Sequence, residues 1–175
     1  RFVYPQPTKE ELDEIYSENR FDGWRSKEVT EVIREIKKKT YENQLEEIKK
    51  IQAIHTVLDI GCGLGYSLDI AVEKGYEVTG VELNQSVLSD IRQRHQQLYV
   101  KLDEVLARGQ KFDLVTLMEA LEHIPDLSRL FAQLNQLMHE KSLVMLTTID
   151  AESNRTKSLQ GSCYHTQHDH LWYFT

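Results

Sequence analysis

The chain has 175 residues, 40% of them apolar and 28% charged, which suits a single soluble globular domain with a core large enough to fold alone. Acids outnumber bases by 28 to 21, and the formal charge of −7 argues against a protein that clamps a polyanion, so nucleic acid is not the expected partner. No apolar run approaches the roughly 20 residues of a membrane-crossing helix, no leader peptide is visible, and Cys62 and Cys163 make no disulfide framework, so a reducing cytoplasm is the expected home.

In chain order, residues 1–7 carry Pro5 and Pro7 and are expected to be extended. Thr8 followed by Lys9, Glu10 and Glu11 reads as a capped helix start, running to about Asn19. Asp22 and Gly23 predict a turn. Ser26 then caps a long helix to about Lys50, with a break near Thr40 and an apolar stripe of Val29, Val32, Ile33, Ile36, Tyr41, Leu45 and Ile48. The lysines at 37–39 and 49–50 alternate with glutamates and read as a solvated face with i,i+4 pairing. Tyr16, Phe21 and Trp24 either pack these helices onto a sheet or fold over a ligand as a lid.

From Thr56 onward strands and helices alternate. Strands are expected at 56–60, 76–82, about 97–101, 112–118 and 142–148, with helices at about 66–74, 84–95 and 127–139. The alternation predicts an α/β fold with a mostly parallel sheet, right-handed crossovers and a ligand at the carboxyl ends of the strands. The expected organisation is a helical segment or lid at 1–52, a core at 53–150 and a substrate-side loop at 151–175.

The first strand carries the most informative stretch. Residues 57–65 read Val-Leu-Asp-Ile-Gly-Cys-Gly-Leu-Gly: a buried apolar run, an acid, and three alternating glycines. Such a turn lets a ligand touch the backbone. A helix and a second apolar strand follow, ending at Glu82, placed to grip both hydroxyls of a ribose. The spacing is G-x-G-x-G, and Tyr66 stands where a dinucleotide fingerprint has its third glycine, so the turn suits a ligand without a pyrophosphate. Asp59 would repel phosphate but suits a cationic amino-acid tail. An oxidoreductase using a nicotinamide cofactor is disfavoured on the same grounds.

This pattern resembles motif I of the class I S-adenosylmethionine-dependent methyltransferases, whose Rossmann-like fold it implies. The resemblance implies that Asp59, Gly61, Cys62, Gly63 and Gly65 hold the methionine part of S-adenosyl-L-methionine. Glu82, with Leu83 beside it, would hold the ribose. Asp103, just beyond the third strand, is the candidate for the adenine amino group, and Met118 and Glu119 flank the cofactor. A complete sheet of that class has seven strands. Five are read here, so the last two are expected to be cut away or lost, leaving an apolar edge that invites a homodimer. The chain begins at Arg1, not Met, and is expected to be a fragment or processed form.

After the fourth strand the sequence reads Met-Glu-Ala-Leu-Glu-His-Ile-Pro-Asp at 118–126. On a helical turn Glu119, Glu122 and His123 share one face, which makes a candidate site for Mg²⁺, Mn²⁺, Fe²⁺ or Zn²⁺. His123 is also the candidate general base. The segment is similar to that of the ubiquinone-biosynthesis O-methyltransferases, and the small-RNA 2′-O-methyltransferases add a histidine from a later loop. That similarity points to His170, then His168, among His165, His168 and His170. The opening Tyr4 to Thr8 resembles a bacterial methyltransferase group in which a cysteine-rich zinc segment often comes first, and such a segment would lie before Arg1. The implied function is methyl transfer to a small-molecule acceptor, at oxygen. The alternatives are a cofactor-binding module without turnover and a metal-dependent RNA 2′-O-methyltransferase.

Overall fold

The computed structural model describes residues 3, 5–15, 27–153 and 170–175. The expected turn at Asp22 and Gly23, the Ser26 cap, the aromatics Tyr16, Phe21 and Trp24, and His165, His168 and Cys163 lie outside the described residues. Five strands form one sheet in the order β3-β2-β1-β4-β5: β1 Thr56–Ile60, β2 Glu77–Val81, β3 Leu98–Tyr99, β4 Phe112–Met118 and β5 Met138–Thr147. Every neighbouring pair is parallel. The helices are α1 Lys9–Ile15, α2 Lys27–Ile51, α3 Tyr66–Glu73, α4 Gln85–Ile91, α5 Leu102–Leu106 and α6 Leu127–Leu137. This is the expected α/β Rossmann-like architecture. The switch in strand order falls between β1 and β4, where a crevice opens at the strand carboxyl ends.

Alternation along the central strands sorts two cores. Val57 and Leu114 face α2 and α3, packing with Tyr41, Leu45, Ile48, Ile70 and Ala71. Leu58, Val115 and Leu117 face the opposite way, with Val105 of α5 and Leu130, Leu134 and Leu137 of α6. In β2, Gly80 is an approach point: a Cβ there would lie 2.8 Å from both Leu68 of α3 and Leu98 of β3. The glycine lets the two leucine side chains close on that position, and a larger residue would force them to shift. No helix among the described residues is long and apolar enough to cross a membrane.

The structure revises several local expectations. Thr8 does cap α1, accepting from the Glu11 amide at 3.2 Å while the Glu11 carboxylate accepts from the Thr8 amide at 2.7 Å. α2 runs unbroken through Thr40, whose hydroxyl turns inward to donate to the Ile36 carbonyl at 3.1 Å. Its apolar stripe is buried only from Tyr41 onward. Val32 and Ile36 are exposed, Ile33 is half-buried, and the side chain of Val29 lies outside what is described. Among the described side chains, its lysines make no i,i+4 ion pairs. Lys49 and Lys50 pair at i,i+3, while Lys37 and Lys38 reach other elements, on Glu119 and Glu73. β3 is only two residues long, and the unforeseen α5 follows it, opened by the Glu104 carboxylate accepting from the Lys101 amide at 2.8 Å. β5 begins at Met138, with no loop after α6, four residues before the expected start.

Candidate functional site

β1 delivers the chain into the glycine turn, and the turn is bonded to the end of β2. The amides of Gly61 and Cys62 both donate to the Val81 carbonyl, at 2.8 and 3.1 Å. Gly61 has φ +77, and a Cβ there would come within 2.8 Å of the Cβ of Ala120. Gly63, at φ +50, has open space where a Cβ would stand, which leaves its backbone approachable. Gly65, at φ +77, caps α3.

Glu82 is buried and spans two turns. One carboxylate oxygen accepts from the Gly63 amide at 3.0 Å, the other from the Asn84 amide at 2.9 Å. Asn84 in turn caps α4, its side chain accepting from the Val87 amide at 3.1 Å. The acid at the end of β2 is thereby fixed beside the glycine turn, with Leu83 next to it presenting an exposed apolar side chain.

Asp59 is 1% exposed. Its register partner on β4 is Thr116, whose hydroxyl donates to Oδ1 at 2.6 Å, and the hydroxyl of Ser67 on α3 donates to Oδ2. Burial pushes its acidity towards the neutral form. The two hydroxyls oppose that shift, the nearby Glu82 charge adds to it, and Lys37 counters it. Burial, helped by the same two acids, also pushes the Cys62 thiol well up, which disfavours its thiolate.

Met118 ends β4, half-buried. Glu119 then takes φ +55, and its amide donates to the carbonyl and hydroxyl of Thr147 at 3.0 and 3.1 Å. This bend sends the Glu119 carboxylate outward to the Lys37 ammonium, 3.0 Å away on α2. Residues Leu121–His123 form a 3₁₀ turn. The α-helical face expected for Glu119, Glu122 and His123 is therefore not formed. Instead Glu122, His123 and His170 gather, with one ligand atom of each within 4.8 Å of the others. The His123 and His170 rings meet edge to face at 4.7 Å. Glu122 is 1% exposed, and its Oε2 has no hydrogen-bond partner. A buried carboxylate with one oxygen left without a donor, gathered with two imidazoles, is a donor set that a divalent cation would satisfy.

His170 is brought there by its neighbour. The Leu171 amide donates to the Glu122 carbonyl at 2.8 Å, the Trp172 indole to the Ile124 carbonyl at 2.7 Å, and the Leu171 carbonyl accepts from the Val3 amide at 3.1 Å. Asp103 lies in the first turn of α5. Its carboxylate is exposed and accepts from Arg129 at 2.7 Å and Gln133 at 2.8 Å, both on α6. Sequence reasoning missed Thr116, Ser67, Asn84 and Lys37. Of these only Asn84, an asparagine one residue before a helix, carried a local signal.

The family described as "Methyltransferase domain" matches residues 16–175. The ubiquinone biosynthesis O-methyltransferase of Coxiella burnetii (strain Dugway 5J108-111) is 34% identical over 102 residues, 54% of this chain and 43% of that protein, so the chain spans less than half the length of that curated relative. Among solved structures, an S-adenosylmethionine-dependent methyltransferase from Archaeoglobus fulgidus is 26% identical, with a TM-score of 0.57 over 69% of this chain and 55% of its own. A Pyrococcus horikoshii OT3 protein, 20% identical, shares the fold with a TM-score of 0.60 over 89% of this chain and 68% of its own.

Proposed function

The chain belongs to the methyltransferase-domain family, and from that premise we propose that it transfers a methyl group from S-adenosyl-L-methionine to an oxygen of a small-molecule acceptor. One observation carries the reading: Glu82 holds the Gly63 and Asn84 amides together, so a diol acceptor and an open glycine backbone stand side by side at the switch point. Each carboxylate oxygen of Glu82 has the lone pairs to accept a further hydrogen bond, which suits the two ribose hydroxyls. Asp59 lies below the turn and takes the cationic amino group. Met118 and Leu83 supply apolar walls. Asp103, fixed by α6, offers an acceptor to the adenine amino group from the far side of β3.

The sulfonium is already an activated leaving group, so the protein's work is alignment and exclusion of water. An oxygen nucleophile must shed its proton as it attacks. His123, beside the carboxyl end of β4, is the base for that proton in this reading. Alternatively, Glu122, His123 and His170 would hold a divalent cation, which would stabilise an acceptor oxygen as its proton leaves, and a ligating His123 is then not the base. One carboxylate and two imidazoles favour a borderline ion such as Zn²⁺, Fe²⁺ or Mn²⁺ over Mg²⁺. Glu119 joins this set only if it leaves Lys37.

The similarity to a ubiquinone biosynthesis O-methyltransferase supports a small-molecule acceptor methylated at oxygen. The same cluster of a glutamate and two histidines also fits an RNA 2′-O-methyltransferase, but the charge of −7 weighs against an RNA partner. The free, buried Cys62 supports a reducing, cytoplasmic setting. Val144 and Leu146, exposed on the edge strand β5, support self-association there, which sedimentation velocity would detect. Calorimetric titration with S-adenosylhomocysteine tests the core of the proposal. Glu82→Ala should abolish binding, and unchanged affinity would remove the ribose assignment. A protein that binds the cofactor yet methylates no acceptor would be a binding module.

A further inference from the structure

The glycine turn is held on its amide side by Glu82, ahead of α4, and on its carbonyl side from the other end of the same helix. Arg94 lies three residues beyond α4, in a turn where its amide donates to the Ile91 carbonyl at 2.9 Å. Its Nη2 donates to the Leu64 carbonyl at 2.9 Å, and its Nε to Asp69 Oδ1 on α3 at 3.0 Å. His95 Nε2 lies 2.7 Å from the same oxygen, and Arg34 of α2 is 3.9 Å from the other. The carboxylate and imidazole of this cluster are mostly buried, while the arginine is part exposed. Gly65 sits beside this cluster at φ +77, a backbone conformation that favours glycine, and the position a Cβ would take lies 3.4 Å from Arg94 Nη2 and from Ile91, an ordinary contact. The peptides on either side of the bond joining Gly63 to Leu64 are therefore fixed from the two ends of α4.

We infer that Arg94 is a positioning residue for the cofactor turn: clamped by Asp69, its guanidinium holds the Leu64 carbonyl and so sets the backbone on which the methionine portion of the cofactor rests. The inference rests on the cofactor reading above.

The test titrates S-adenosylhomocysteine calorimetrically into wild type, Arg94→Ala, Arg94→Gln and Arg94→Lys, with thermal melts of each. A charge-assisted bond to the turn predicts affinity about tenfold weaker for the alanine variant. The lysine variant, which keeps the charge and a donor, should recover part of the loss, and melting temperatures should fall by only about 2 °C. Hydrogen exchange should quicken at the Asp69 amide, which donates to the Gly65 carbonyl, and stay unchanged at the Val87 amide at the far end of α4. Wild-type affinity in Arg94→Ala overturns the inference. So does an affinity loss that tracks the melting temperature across all three variants, since a purely structural arginine would behave that way. A wild type that does not bind the ligand sinks the cofactor reading and this inference together, whereas a binding wild type matched by Arg94→Ala sinks the role of Arg94 alone.

Discussion

Asp59 stands near the carboxyl end of β1 and Asp113 near the amino end of β4, and their surroundings pull their acidities in opposite directions. Burial acts on both. At Asp113 it is overcome: Oδ2 accepts from the amides of His55 and Thr56 at 2.8 and 2.9 Å and from the Thr56 hydroxyl at 3.2 Å, and His139 Nε2 lies 2.9 Å from Oδ1. These donors hold the carboxyl down at about 2. At Asp59 two hydroxyls do not match the cost of complete burial, and the carboxyl is held above its ordinary range. One end of the sheet has thus supplied its acid with all the donors it needs. The other has left an acid short of positive charge, which suits a place where a cation arrives.

Substitution should separate the two. Asp113→Ala is expected to have the largest effect on stability. A shift from 3.8 to about 2 corresponds to about 2 kcal/mol at neutral pH, and chemical denaturation should show that loss with S-adenosylhomocysteine affinity unchanged. Asp59→Asn should do the reverse, weakening the ligand about 30-fold while melting stays at or slightly above the wild-type temperature. A melt depressed as far as that of Asp113→Ala would erase the contrast.

pH should sharpen it without mutation. Asp113, whose acidity is strengthened by folding, contributes stability above its unfolded value, and that contribution drains away as pH falls from about 4 to about 2. Asp59, weakened by folding, has the opposite sign: it adds stability when protonated and loses it as pH rises through its folded value. A cationic ligand needs Asp59 ionised. On acidification, ligand affinity should therefore fall first and stability later, as parallel titrations and melts would show. The smallest effect is expected from His139→Ala, which removes one donor from Asp113 and should cost about 0.5 to 1 kcal/mol in denaturation.

The same contrast explains what the sequence disclosed. The glycine turn and Glu82 are parts of one contiguous strand, helix and strand, so local pattern places them together. Thr116 meets Asp59 only through strand register, 57 residues away, and Arg94 meets Leu64 only after α4 packs. Neither contact leaves a periodic trace. Glu119, Glu122 and His123 have helical spacing, but a left-handed residue and a 3₁₀ turn place the first apart from the other two. Val32 and Ile36 carry helical periodicity yet stand exposed, so pattern overstated their burial.

Met138 closes α6 and opens β5, with no slack between them. The helix and the strand form one stiff lever. Arg129 and Gln133 bear on α5 from one arm, and Thr147 pins the backbone of Glu119 from the tip of the other. A tilt of α6 against the sheet would displace both contacts at once, which ties the anchorage of Asp103 to the backbone bend that precedes His123.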